Sequence, residues 1–512
     1  MNRRNFLASV GGFIAYETMR RNSLEAQTVP AFKFDPFTVG VASGDPAPDG
    51  VVLWTRLTSD TPVGVNEIPQ VAIPVSWEVA TDESMRHIVQ HGSAVATPEL
   101  GHSVHVEVAG LKPSSDYFYR FHCGGSTSRV GKTRTAPAFD AHPDHVRFGF
   151  ASCQHYEDGY YTVHREMANA DLDAVIFLGD YIYEHHVTYP PTRKHDVDLV
   201  VTLEQYRHHY AQYKRDPDLQ ACHAAHPWIV TLDDHEVTNN WAGMSTSPAH
   251  PEENFLQRRA AALQAYYENM PLRRSTYLGP KGLRLYRKVQ YGQMAQFTVL
   301  DTRQFRTPQP CGDRVKPTCE ERERPEGTMM GFEQEKWFNE TLSASPTTWN
   351  IIANQVMVAQ LDIPQNGVET HAMDMWDGYP AARKRMLDFL ATRKPNNPVY
   401  ITGDAHQTWV SDLKRNFDDP KSPIVASEIL GTSISSGRNG VDHRPVSDML
   451  MKANPHILYS HSRRGFFLCE LTAKAMESQL WTTNEIEAPG GHLAKTASFV
   501  VEAGKTGIHQ ES

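Results

Sequence analysis

The chain has 512 residues, a formal net charge of −10 and 40% hydrophobic residues. It is too long for one ordinary core, and its acidity argues against a general nucleic-acid or anionic-membrane binder. Six cysteines are too few for a disulfide framework at this length, and no stretch approaches the ~18 apolar residues that span a bilayer.

The N-terminus carries an address. Arg3-Arg4-Asn5-Phe6-Leu7, followed by a modest apolar run through Tyr16, has the pattern of a twin-arginine signal over residues 1–30. It implies the twin-arginine export machinery as a partner and a periplasmic or secreted location, reached by a protein folded before export. Residues 37–135 read as all-β. Val39–Pro46, Val51–Leu57, Val75–Val79, Ser103–Val108 and Tyr117–Phe121 are the strand candidates. Leu111-Lys112-Pro113-Ser114-Ser115-Asp116-Tyr117 resembles the corner of fibronectin type III sandwiches in which a tyrosine ties the chain. No ligand cluster stands out here, so this unit reads as a positioning module.

A Pro-containing linker, 136–144, leads into alternating strands and helices over 145–484, which argues α/β. Strands are expected at 146–152, 173–178, 228–232, 295–300, 349–353 and 398–402, and helices at Phe255–Glu268 and Phe332–Leu342. Loops 185–198 and 244–254 are suited to rim a cleft, and Cys311 and Cys319 bracket a polar loop as a candidate pair after export. The tail, 485–512, reads as irregular and without a role.

The residues at the strand ends carry the chemistry. In order they are Cys153, Asp180 with Tyr183, Asp233-Asp234-His235-Glu236, Asp301 with Arg303, Asn354-Gln355, and Asp404-Ala405-His406. One aspartate after a strand is usually a turn or helix cap. Six such positions on the rim of one α/β sheet point instead to a metal centre.

The ordered motifs SCQ, GDYIYE, LDDHEVTNNW, LDTRQFR, NQ, GDAH and GTSISSG, with GVASGDPAPDGVVLWTRL before them, resemble the PhoD-type alkaline phosphatase/phosphodiesterase family of calcineurin-like metallophosphoesterases. The resemblance implies a metallophosphoesterase α/β sandwich behind a small all-β, fibronectin III-like sandwich. It implies that Asp180 bridges two metals and that Tyr183 and His406 are further ligands. Cys153 takes the place of an early aspartate ligand, Asp234 and Asp404 replace the Asn and first His of the wider superfamily, and Asn354 matches a second-metal ligand. Thiolate, phenolate, carboxylate and imidazole suit Fe3+, whereas the oxygen-rich half suits Ca2+, with Mg2+, Mn2+ or Zn2+ as alternatives.

The expected activity is metal-dependent hydrolysis of phosphodiesters and phosphomonoesters, with His235 as acid and Asp233 and Glu236 orienting their neighbours. A phospholipase D-like phosphodiesterase of the same fold and a non-catalytic, metal-stabilised binding module are the alternatives. Arg303 has two readings, a bidentate phosphate clamp or an ion pair with Asp301 or a neighbour. The Gly/Ser-rich Gly431–Gly437 lacks the lysine of a P-loop and reads as rim scaffolding. No G-x-S-x-G elbow supports a serine hydrolase.

Overall fold

The computed structural model describes residues 32–59 and 68–511; the expected signal, 1–30, lies outside them. Two large sheets, of ten and seven strands, pack face to face. At the centre of the first, Val146–Ala151, Ala174–Phe177 and Pro227–Val230 run parallel. At the centre of the second, Ala295–Val299, Trp349–Ala353, Pro398–Thr402 and Ile424–Leu430 run parallel. Strands buried on both faces need apolar side chains at every position, and the run Ala174–Leu178 shows why. Ile176 and Leu178 point into the layer between the sheets, beside Phe148, Phe297, Ile351 and Val399. Val175 and Phe177 point outward.

Helices cover both outer faces. Thr162–Asn169, Leu203–Lys214, Pro217–Ala225 and Phe255–Asn269 place Met167, Tyr206, Tyr210, Leu219 and Leu263 over Val175, Phe177 and Trp228. Gly331–Ser343, Pro380–Arg393 and Pro445–Ala453 cover the second sheet through Phe338, Leu387 and Leu450 against Ile352, Tyr400 and Leu430. None of the described helices is long and apolar enough to cross a membrane.

The N-terminal β-sandwich forms, but one of its leaves is continuous with the larger sheet. Val41–Ala47 pairs parallel to Pro227–Val230, with Ser43 opposite Pro227 and Gly44 opposite Trp228, and Gly50–Arg56 and Ser103–Ala109 extend the sheet further. This pairing covers what would otherwise be an open edge of the parallel strands. Ile73–Ala80, Ile88–Ala96 and Asp116–Cys123 form the other leaf. Val51, Leu53, Val104 and Val106 pack there against Val75, Val79, Tyr119 and Phe121. The tyrosine corner is present, with the Lys112 N–H donating to the Tyr117 hydroxyl at 2.9 Å.

The C-terminal residues differ from expectation. The irregular parts are 484–493, around Pro489-Gly490-Gly491, and 503–508; Ala494–Glu502 pairs antiparallel with Ala475–Thr483, and His509–Gln510 adds a further strand. Ala497, Phe499 and Val501 alternate into the core between the sheets, a period-two signal preceded by the Pro/Gly turn. Cys311 and Cys319, whose pairing the sequence left open, are disulfide-bonded.

Candidate metal centre

The parallel strands set the site. Their C-terminal ends open on one edge, where the first sheet delivers Cys153, Asp180 and Asp234 and the second delivers Arg303, Asn354, Asp404 and His406. A bridge between Ser152 and Ser433 and a 2.9 Å hydrogen bond from the Thr231 hydroxyl to the Leu300 carbonyl stitch the two edges together. Cys153, Asp180, Asp404 and His406 all hold positive φ, at 60°, 55°, 69° and 52°. Non-glycine residues adopt this region rarely, and such strain collects at functional sites. Here it turns the chain sharply as each strand ends. Gly179, at φ 118°, admits no side chain, because a Cβ would lie 2.5 Å from the Asp233 Cβ.

The predicted donors converge. Ligand atoms of Cys153, Asp180 and His406 all lie within 4.8 Å of one another, as do those of Asp180, Asp234 and His235. The Tyr183 hydroxyl joins the first set, 2.8 Å from Asp180 Oδ2 and 2.9 Å from His406 Nε2. Asp234 Oδ2 accepts the Asn240 N–H at 2.7 Å, whereas its Oδ1 is buried with no hydrogen-bond partner. Asn354 is alike: its amide nitrogen donates to the Val356 carbonyl and its Oδ1 is buried and unpartnered. Leaving a buried polar atom without a hydrogen bond costs about 1–3 kcal/mol; Asp234 Oδ1 has only the Arg303 guanidinium, 3.6 Å away, so both oxygens are suited to a cation. Asp404 stands half-buried beside them.

Electrostatics point the same way. Burial pushes the Asp180 and Asp404 carboxyls well above the usual carboxylate range; His235 opposes the shift at Asp180, and Asp233 and Asp234 add to it at Asp404. Burial, then Asp180, raises the Cys153 thiol in the same way. Burial lifts Asp233 to about 7 and Glu236 to about 8. Against burial, Arg303 and then His235 hold Asp234 below its ordinary value. Burial would lower His235, but Asp234, Glu184 and Asp180 together keep it well above the usual histidine range. The acids here outnumber these two cations. With the orphaned oxygens, the site fits multivalent cations.

Arg303 resolves in favour of an ion pair, but not with Asp301. Its guanidinium is fully buried, with Nε on Asp233 Oδ1 at 2.5 Å and Nη2 on Asp374 Oδ2 at 2.8 Å. It stands 3.6 Å from Asp234 Oδ1, so the guanidinium is anchored among three carboxylates, while its Nη2 is buried and makes no hydrogen bond. Asp301 caps the turn after its strand, accepting the N–H groups of Arg303 and Gln304. Glu236 gathers three backbone N–H groups, from Tyr181 at 2.6 Å, Asp233 at 2.8 Å and Asp180 at 3.1 Å. The Gly431–Gly437 loop is scaffolding, with Ser436 Oγ donating to the Tyr183 hydroxyl at 2.8 Å.

Several contributors are not among the predicted residues. Glu184 holds His235 Nδ1 at 2.8 Å and is itself fixed by the Asn239 N–H. It directly succeeds Tyr183, so the motif GDYIYE contained the signal. His155 lies against Tyr183 with ring centroids 4.4 Å apart, and Asp374 and Asn240 fix Arg303 and Asp234. Asp374 lies beyond the short strand Val368–Ala372, outside the two large sheets, and left no local signal.

Over residues 148–480 the chain matches the PhoD-like phosphatase family, and over 23–137 it matches the N-terminal domain of PhoD-like phosphatases. It is 44% identical over 495 residues to alkaline phosphatase D of Bacillus subtilis (strain 168), an alignment that spans 96% of this chain and 85% of that protein. The solved structure of PhoD superposes with a TM-score of 0.90 at 44% identity, covering 94% of this chain and 93% of that one. Both matches extend through the rim that gathers Cys153, Asp180, Asp234 and His406, and by them the chain belongs to the PhoD-like phosphatase family.

Proposed function

We propose that the protein is an exported, metal-dependent phosphoric ester hydrolase that cleaves phosphodiesters and phosphomonoesters. The observation that carries this is the donor set itself: Cys153, Asp180, Tyr183 and His406 converge, and Asp180 is shared with Asp234, whose Oδ1 makes no hydrogen bond. Cys153, Tyr183, Asp180 and His406 would hold Fe3+, because thiolate and phenolate stabilise the higher charge. Asp180, Asp234, Asp404 and Asn354 would hold Ca2+, an all-oxygen set. Bound there, the metals would acidify a water and neutralise phosphoryl oxygens.

The protein's own part is proton delivery and positioning. Asp234, Glu184 and Asp180 outweigh burial and raise the His235 imidazole above the usual histidine range, which favours the form that can donate a proton. Its side chain is 12% exposed, open enough to face a substrate. As the P–O bond breaks, the leaving oxygen takes the His235 proton and departs as an alcohol. Glu184 holds the ring through Nδ1, which leaves Nε2 as the nitrogen that donates. Arg303, Asp233 and Glu236 keep the carboxylates in place, and no covalent phosphoenzyme is required.

Export by the twin-arginine route rests on Arg3-Arg4-Asn5-Phe6-Leu7. The Cys311–Cys319 bridge supports it, since disulfides persist in oxidising compartments. The decisive experiment combines elemental analysis with hydrolysis of bis-p-nitrophenyl phosphate by the metal-loaded protein; no turnover would sink the reading. Tyr183→Phe is expected to bleach a visible phenolate–ferric band, and an unchanged spectrum would reject tyrosinate ligation. His235→Ala is expected to lower turnover with metal retained, whereas loss of metal would make His235 a ligand.

A further inference from the structure

The loop closed by Cys311 and Cys319 reaches a metal donor through a short chain of contacts. Cys311, Gly312, Asp313 and Arg314 hold φ of 56°, 77°, 67° and 68°, four consecutive left-handed residues of which three are not glycine. Each such non-glycine residue costs about 1–3 kcal/mol and persists only where its surroundings over-determine it. Three fastenings do so here. The disulfide joins residues whose Cα atoms are 5.9 Å apart. The Cys311 N–H donates to Glu321 Oε2 at 3.0 Å, and the Arg314 carbonyl accepts the Met373 N–H at 2.9 Å.

This held segment presents Asp313, which is 1% exposed. Its carboxylate accepts from Asn240 Nδ2 at 3.2 and 3.0 Å and from the Ser247 hydroxyl. Two residues before the bridge, Gln309 Nε2 donates to the Asn240 carbonyl and to Asp374 Oδ1, both at 2.6 Å. Asn240 is thus gripped at its side chain and at its carbonyl, and is held at φ 52°. In that pose its N–H donates to Asp234 Oδ2 at 2.7 Å, while Oδ1 makes no hydrogen bond.

We propose that Asp313 is a positioning residue for the Asp234 donor, and that the Cys311–Cys319 disulfide is what keeps it in place. The second metal site is then sensitive to thiols. A dithiol attacks one sulfur of the bridge and is oxidised to its own cyclic disulfide, while Cys311 and Cys319 take up two electrons and two protons as thiols. The left-handed run relaxes, Asp313 leaves Asn240, and Asp234 loses the N–H that orients it. This inference rests on the metal-site reading above, with Ca2+ as the cation used to probe it.

The test uses the full-length protein, oxidised or treated with dithiothreitol, beside Cys311→Ser/Cys319→Ser and Asp313→Asn. Hydrogen exchange in the peptide 237–244, read with no metal added, is expected to speed up at least tenfold on reduction, in the double serine variant and in Asp313→Asn. Titration with Ca2+ is expected to show affinity weakened about 10–100-fold, the effect of losing an outer-shell partner. In the two variants, where no thiol is present to reduce Fe3+, excess Ca2+ is expected to restore kcat with KM unchanged and with the Tyr183 band unaltered; a merely structural role would give no such rescue. Unchanged exchange in 237–244 overturns the proposal whatever metal binds, as does turnover that excess Ca2+ fails to restore. Failure of the phosphoesterase reading would appear separately, as oxidised, metal-loaded protein that does not hydrolyse the diester.

Discussion

Glu236 is the residue on which the geometry of the rim depends most, and its removal can be worked through from three hydrogen bonds. The side chain is fully buried and accepts the N–H groups of Asp180, Tyr181 and Asp233. It thereby ties the turn after Ala174–Phe177 to the turn after Pro227–Val230. In Glu236→Ala all three donors lose their acceptor, at about 1–3 kcal/mol each. The sum is about 3–9 kcal/mol, and water entering the polar gap recovers part of it. We expect a loss of about 4 kcal/mol. Glu236→Gln keeps one acceptor oxygen but turns an NH2 group against at least one N–H, for a loss of about 2 kcal/mol. Urea unfolding measures both, with elemental analysis of the folded protein alongside. The same turns carry Asp180 and Asp234, so metal content is expected to fall in the order wild type, Gln, Ala. A Glu236→Ala protein within about 1 kcal/mol of wild type and fully metallated would refute the reasoning.

Two further perturbations test the burial of charge. Arg303→Met leaves Asp233 buried without its cation, while Asp374 keeps Arg306 at 3.1 Å, for a loss of about 3–5 kcal/mol in urea unfolding. Stability kept, with only KM raised, would instead mean that Arg303 binds the phosphate. His105 stacks on Tyr267 and bonds the Leu272 carbonyl, and burial pulls it from 6.5 down to about 4. Between those values the unfolded chain binds the proton and the folded chain does not. The stability that neutral His105 contributes is therefore present above pH 6.5 and is lost as pH falls toward 4. At about 1.36 kcal/mol per pH unit, this reaches about 3 kcal/mol. His105→Phe keeps the stacking and is expected to flatten the stability–pH slope in that window, whereas an identical slope would refute the reading.

Much of the site was legible because parallel strands speak twice in a sequence. A run such as Ala174–Leu178 is apolar at every position, being buried on both faces, and the polar residue that ends it stands on the rim by topology alone. The rim positions of Cys153, Asp180, Tyr183, Asp234, Asn354, Asp404 and His406 were all reachable in this way, whereas their roles as ligands came from the family resemblance. Arg303 was not, because a cation after a strand looks the same whether it faces a phosphate or an aspartate seventy residues earlier in the chain. Its partner Asp374 comes after the short strand Val368–Ala372, where no pattern announces it.

The sequence by itself determined the alternation of strands and helices, the β-rich N-terminal segment and the types of donor at each strand end, since periodicity and composition are local. Only the tertiary structure decided that Val41–Ala47 joins the larger sheet, that Ala494–Glu502 closes it on the other side, and that Asp234 and Asn354 each keep one oxygen unpaired. These depend on which edge is left open and which N–H reaches which carboxylate. The first of these joins residues some 184 positions apart, and packing alone selects such partners.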